Sequence, residues 1–179
     1  MKPVHLILFL LTVFLVKASV WPLPLQRDAV GYAYIGKELA QGAVAYRDVW
    51  DHKTPGVYGL NALVYTLFPD AYIPALLVTS LAAAWAASIA VFYLLKRYYS
   101  EKTSLVAAFM FAIFSNIYVL TVGDNLIEGY MLPILTGFYL VFIHAMHTKK
   151  PAWYVVTGVL LGILFLFKQG ETFFQLLHD

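Results

Sequence analysis

Cysteine is absent from the 179 residues, which excludes disulfides, a thiolate nucleophile and any cysteine-ligated metal. Charge is scarce as well. Asp, Glu, Lys and Arg make up 12% of the chain, against about 25% in an ordinary soluble domain. The formal net charge is only +2, and basic residues fall in short clusters beside apolar runs, as at Lys96-Arg97 and Lys149-Lys150. That distribution suits membrane orientation signals and excludes a nucleic-acid footprint. What is plentiful is apolar: 61% of residues are hydrophobic and 17% aromatic. So much apolar surface reads as lipid-facing rather than as an oversized core.

The runs predict an all-α, multi-pass transmembrane protein. Spans are expected at about 4–21, 71–95, 103–122, 129–145 and 153–172, each near the roughly 20 residues a helix needs to cross hydrocarbon. Within the first, Lys17 is expected to snorkel to the headgroups. A cleaved signal peptide competes with a retained anchor there, and the lack of a small-x-small cleavage pattern favours the anchor. With a cytoplasmic N-terminus, Lys2, Lys96, Arg97, Lys102, Lys149 and Lys150 lie inside, while Asp28, Glu38, Asp48, Asp51, Asp70, Asp124 and Glu128 lie outside. Arg27, Lys37, Arg47 and Lys53 also fall outside, against the usual rule. Binding of an anionic headgroup would account for them, as would pairing with neighbouring acids.

Residues 22–70 form an outer loop too long for a turn. Asp28 as a cap predicts a helix over Ala29–Gln41, with Val30, Ala33, Tyr34 and Lys37 on one stripe and Gly42 as its stop. Pro55 opens a second helix over Gly56–Phe68, closed by Pro69. Two juxtamembrane helices thus frame an extended stretch, Val44 to Lys53.

Most paired charge sits in that loop. Asp28 is open to three roles: helix cap, partner of Arg27, or general base kept ionised at the interface. Lys53, at the start of the second helix, is a candidate phosphate seat, because free amides and an ammonium meet there. Asp48 and Asp51 would restrain that lysine or hold a divalent cation with the phosphate, and a solvated charged loop is the plain alternative. Between the third and fourth spans, Asp124 and Glu128 are four apart and would share a helix side, with Asp124 also a cap for the fourth span. Glu128 at a span mouth needs a partner or a purpose: a sugar hydroxyl, the acceptor or a metal. Lys168 would snorkel, pair locally with Glu171 or reach a lipid phosphate. His144 and His147 have ligand-like spacing, but they read as interfacial polar residues beside Lys149-Lys150.

Arg27-Asp28-Ala29-Val30-Gly31-Tyr32, the stretch from Gly42 through Trp50-Asp51-His52-Lys53-Thr54-Pro55-Gly56 to Tyr58, Asn125-Leu126-Ile127-Glu128, and Gly158 to Lys168-Gln169 occur in one order. Together they resemble the polyprenyl-phosphate-sugar glycosyltransferases of the membrane-embedded C-type fold, relatives of protein O-mannosyltransferases and the aminoarabinose transferase of lipid A. The resemblance implies a polyprenyl-phosphate sugar donor, a lipid, glycan or protein acceptor, and inversion at the anomeric centre. It implies Asp28 as the catalytic base, and Lys53, Asp48, Asp51, Glu128 and Lys168 around the substrate. Cofactors are not fixed by it, and a divalent metal stays open. Ala29 stands where the family often has a second acid. Because such enzymes are usually longer, residues 1–179 are expected to be an N-terminal transmembrane domain whose turnover needs later spans. A noncatalytic membrane scaffold and a small transporter subunit are the rival readings, the latter short of polar residues in the second and third spans beyond Thr79, Ser80, Ser88 and Ser115.

Overall fold

The computed structural model describes residues 3–116 and 124–168. Among these residues the chain is all-α, as the sequence implies, with seven α-helices and no strand. They are α1 (Pro3–Ala18), α2 (Arg27–Ala40), α3 (Pro55–Leu67), α4 (Tyr72–Leu95), α5 (Glu101–Phe114), α6 (Ile127–Thr148) and α7 (Pro151–Phe167). A 3-10 turn, Pro69–Ala71, joins α3 to α4.

Local chemistry sets several of these limits. Pro55 and Pro151 each stand in the first turn of a helix, where a missing N–H costs nothing. Ser100 caps α5 by accepting from the Thr103 amide at 3.2 Å. Lys149 ends α6 in the left-handed conformation, φ 55°.

Pro69–Leu95 and Ile127–Thr148 are long and apolar enough to cross a membrane, whereas α1 and α7 are shorter apolar helices. Only 39% and 17% of the most apolar windows of the two long segments are buried inside the protein. A helix at the centre of a soluble domain would be covered on all sides, so these faces need lipid. The outward residues of α7 agree: Val155, Val159, Leu161 and Phe165 are all exposed.

α5 stops at Phe114, followed by a turn at Ser115 and Asn116. Its 14 residues rise about 21 Å, less than the roughly 30 Å of hydrocarbon. The rest of the stretch expected at 103–122 lies outside the described residues, as does the end of that expected at 153–172.

α4 is the central post. It packs against α1, α5 and α6, and α7 packs on α6. Phe9 and Val13 of α1 meet Leu81, Ala84 and Phe92 of α4 and Ala108 and Ala112 of α5. The alanines let the backbones approach, the usual device where lipid supplies no hydrophobic drive between helices. Above this bundle α2 lies on α3, and α3 touches α4 and α7. Tyr32 and Ile35 of α2, Val57 and Tyr58 of α3, Ile127 and Tyr130 of α6, and Phe167 of α7 form one cluster. The juxtamembrane pair is thereby seated on the bundle ends, not free in the interface plane. The buried face of α2 is Ala29, Tyr32, Ala33, Ile35 and Gly36, while Val30, Tyr34 and Lys37 point outward. The expected stripe therefore splits, because contact with α3 and α4 decides the inner face.

Candidate functional site

Asp28 stands inside the first turn of α2, whose N-cap is Gln26. It does not cap a helix starting at Ala29. Beyond Pro24 the chain is free to turn helical at Arg27, which leaves Asp28 near the positive end of the helix dipole. The carboxylate is exposed and has no side-chain hydrogen bond or salt bridge among the described residues.

One turn further along α2, the Tyr32 hydroxyl is buried. Its pKa is pushed up from 10.0 to about 12, first by burial and then by the negative charges of Asp28, Glu128 and Asp51. Carboxylates from α2, the outer loop and α6 thus all act through their charge on one phenol. Asp51 is held in place: its Oδ2 accepts from the Tyr58 hydroxyl at 2.8 Å and its Oδ1 from the His52 amide at 2.6 Å. Burial, and then this bond to Asp51, raise the Tyr58 pKa strongly.

Two cations face the same group. Lys168 Nζ, just past α7, donates to Glu128 Oε1 at 3.0 Å. Lys53 acts on the same carboxylate through its charge; its carbonyl accepts from the Tyr46 hydroxyl at 2.8 Å, and its ammonium has no hydrogen-bond or ion-pair partner among the described residues. Next to it, Thr54 is the N-cap of α3 but makes no side-chain cap bond, and its Oγ1 is buried without a partner among the described residues. Lys53 and Thr54 thus stand directly before the first turn of α3, whose amides have no acceptor within the helix.

Asp48 has other partners. Its Oδ2 accepts from the Val44 amide at 2.8 Å, and Arg47 binds both its oxygens at 2.8 and 2.9 Å. The Arg47 bond, and then the Val44 amide, hold its carboxyl below the usual range. It shapes the loop and lines an outer pocket of about 390 Å3 with Gly31, Tyr34, Ile35, Val49, Trp50 and Asp51. Among the described residues no group of three His, Asp or Glu side chains is placed to hold a metal ion.

Behind the surface groups lies a buried polar network. Asn125, in the left-handed conformation with φ 57°, donates from Nδ2 to the Ala29 carbonyl at 3.2 Å and to Asn61 Oδ1 at 3.1 Å. The Tyr130 hydroxyl donates to Asn125 Oδ1 at 2.8 Å. Asn61 Nδ2 donates to the Val57 carbonyl at 2.8 Å, and the Tyr72 hydroxyl to the Ala33 carbonyl at 2.8 Å. Asn125 thus pins the peptide next to Asp28 to the head of α6.

The model of the dolichyl-phosphate-mannose-protein mannosyltransferase family matches residues 52–176. The chain belongs to that family. No curated protein and no solved structure matches it. As a member of the mannosyltransferase family it is, at family level, a membrane glycosyltransferase that uses a polyprenyl-phosphate sugar donor. The matched stretch holds Lys53, Asn61, Asn125, Glu128 and Lys168, and begins after Asp28, Asp48 and Asp51.

Sequence reasoning missed part of this arrangement. Lys17 does not snorkel. It is 2% exposed, and its ammonium donates to Asp124 Oδ1 at 2.7 Å and Ser80 Oγ at 2.9 Å. Nor do Asp124 and Glu128 share a helix side or Asp124 cap the fourth span, because Asp124 has φ 61° and α6 begins at Ile127 after Leu126 as N-cap. One signal was available: Lys17 stands inside an apolar run, where a lysine is costly unless it finds a partner. Asn61, flanked by Leu60 and Ala62, carried the same signal.

Proposed function

We propose that the chain transfers a sugar from a polyprenyl-phosphate donor to an acceptor on the outer side of the cell membrane, inverting the anomeric centre. The observation that carries this reading is what gathers at the Tyr32, Tyr58 and Ile127 cluster: Asp51 held by Tyr58, Glu128 paired with Lys168, and the first turn of α2 with Asp28. The lipid-exposed faces of the bundle hold the polyprenyl tail, and the loop and α3 hold its head.

In this mechanism Asp28 takes the proton of the acceptor hydroxyl or amine as that atom bonds to the anomeric carbon. The bond from that carbon to the phosphate oxygen breaks, and the polyprenyl phosphate leaves with the electron pair. Lys53, with Thr54 and the first amides of α3, stabilises the charge that grows on the leaving phosphate. Lys168 neutralises Glu128, so that this carboxylate does not repel the phosphate. The N-terminus is cytoplasmic in this reading. The α4–α5 connection with the first turn of α5, and the α6–α7 connection, then carry Lys96, Arg97, Lys102, Lys149 and Lys150 inside, opposite the site.

The test is transfer by the full protein in lipid nanodiscs from polyprenyl phosphate carrying mannose, glucose or arabinose. Wild type transfers from at least one, and Asp28→Asn lowers kcat by about 10²–10⁴-fold. Lack of transfer from every donor refutes the enzyme. Full activity of D28N with an active wild type refutes the base alone.

A further inference from the structure

The outer pocket of about 390 Å3 lies between one side of α2 and loop residues 48–51. Small-ligand pockets run from about 300 to 1,000 Å3. On α2 its wall is Gly31, Tyr34 and Ile35, three to seven positions past Asp28. That spacing follows one side of a helix, and about 4.5 Å of rise separates Asp28 from Gly31. Asp51 lines the pocket and also accepts from the Tyr58 hydroxyl, so the pocket adjoins the Tyr32 and Tyr58 cluster.

The loop wall is braced. The Tyr46 amide donates to the Val49 carbonyl at 2.8 Å, the Val44 amide to Asp48, and the Tyr46 hydroxyl to the Lys53 carbonyl. Between the anchored Val49 and Asp51, Trp50 is left 75% exposed, and on the α2 wall Tyr34 is 57% exposed. Both carboxylates of the pocket are open to solvent in part and already engaged in part. Arg47 binds both oxygens of Asp48, and the His52 ring nitrogen Nδ1 lies 2.9 Å from Asp51 Oδ1. Each keeps one oxygen with a single donor, Asp48 Oδ1 with Arg47 and Asp51 Oδ2 with Tyr58. Such an oxygen has a lone pair for a second hydrogen bond.

From this we infer that the outer pocket docks the acceptor and that the acceptor is a saccharide, stacked on Trp50 and Tyr34 with hydroxyls on Asp48 and Asp51. The inference rests on the glycosyltransferase reading and names its acceptor class. A sugar has C–H faces that lie on the negative faces of aromatic rings, and edge hydroxyls that donate to carboxylates. The pocket offers both kinds of wall. An anion would be repelled by Asp48 and Asp51, and a lipid tail would cut both carboxylates off from water. A cationic peptide would meet the Arg47 guanidinium already seated on Asp48. A saccharide docked along this side of α2 lies with one end toward Asp28. There its hydroxyl is the nucleophile: Asp28 takes the proton as the oxygen bonds to the anomeric carbon and the polyprenyl phosphate leaves with the electron pair.

The probes are mannotetraose, cellotetraose, chitotetraose and a neutral Ser/Thr-rich decapeptide. Each is titrated against the full protein in nanodiscs, and binding is read by NMR saturation transfer to the probe's C–H protons. Trp50→Ala and Tyr34→Ala remove exposed rings, and Tyr34→Phe keeps the ring without its hydroxyl. Gly31→Leu fills the α2 wall: a Cβ there meets nothing within 4 Å, and leucine favours a helix more than glycine does. Wild type is expected to bind at least one tetrasaccharide. W50A, Y34A and G31L should each weaken it by about fivefold or more and Y34F by less than about twofold, while all four bind the polyprenyl-phosphate sugar as wild type does. Binding of no tetrasaccharide, or binding that W50A and Y34A leave unchanged, overturns the proposal and makes Trp50 an aromatic at headgroup depth. Equal loss of the donor lipid overturns it too, because the pocket would then serve the donor. Ring-dependent binding of the decapeptide alone assigns a protein acceptor in place of the saccharide. Transfer from no donor while a tetrasaccharide still binds refutes the glycosyltransferase reading, an outcome distinct from transfer without saccharide binding, which refutes the pocket alone.

Discussion

Replacing Asn125 by alanine tests whether the buried amide network sets the geometry beside Asp28. The change removes two hydrogen bonds donated by Nδ2, to the Ala29 carbonyl and Asn61 Oδ1, and one accepted from the Tyr130 hydroxyl. The Ala29 carbonyl keeps its place in the ladder of α2, but the Tyr130 hydroxyl is left buried with no acceptor. Asn61 Oδ1 keeps only a long contact, 3.4 Å, with Tyr72. Each stranded group costs about 1–3 kcal/mol in a water-soluble core. Side-chain hydrogen bonds in a membrane bundle average nearer about 0.6 kcal/mol, which sets the lower bound. Asn125 also holds φ 57°, a conformation that costs a non-glycine residue about 1–2 kcal/mol and that asparagine tolerates better than alanine. The expected loss for N125A is about 2–5 kcal/mol, or roughly 5–15 °C in melting temperature for a chain of this size. Asn125→Gly loses the same bonds without the backbone strain, so it should melt above N125A and below wild type. The assay is thermal unfolding of both variants in one detergent. Melting of N125A within about 2 °C of wild type would show that the network carries no weight, and N125G melting below N125A would refute the backbone argument.

Other outcomes follow from single contacts. A Cβ on Gly56 would lie 2.6 Å from the Leu166 carbonyl oxygen and 2.8 Å from its carbon, whereas Gly59 has open space. Gly56→Ala therefore pushes the head of α3 off the end of α7, at about 1–3 kcal/mol, and should weaken donor binding while Gly59→Ala does not; equal binding by both variants contradicts the close approach. Tyr32 has a folded pKa of about 12 against 10.0, so the stability it contributes is complete below pH 10 and is lost as pH rises through 12. Tyr32→Phe should flatten that part of the alkaline melting profile, and a wild-type slope retained by Y32F counts against the crowding of charge there. Glu128 and Lys168 are a partly exposed pair worth about 0–1 kcal/mol, so Glu128→Gln should leave the melting temperature nearly unchanged yet raise KM for the lipid-linked sugar. Unchanged KM would remove Glu128 from the site.

Residues read from the sequence as one group take different partners in the structure, for physical reasons. Asp48 and Asp51 are three apart in the same loop, yet Arg47 and the Val44 amide turn Asp48 into a loop brace, while Tyr58 fixes Asp51 toward the Tyr32 cluster. Lys17 and Asp124 are 107 positions apart, and each alone reads as an interfacial charge. Linear spacing holds no record of which long-range partners meet.

Composition pointed to the membrane setting and the length of the apolar runs to the helical class, because the polar backbone in lipid must bond to itself and a run of about 20 residues does so as a helix. Pro55 and Pro151 likewise marked where helices begin, since proline acts on its own few neighbours. What only the tertiary structure decided was partnership: Lys168 with Glu128, Lys17 with Asp124, Asn125 with Ala29 and Asn61. Those choices depend on how α2 and α3 settle on the ends of α4, α6 and α7, and burial there makes each unpaired charge or amide too costly to leave alone.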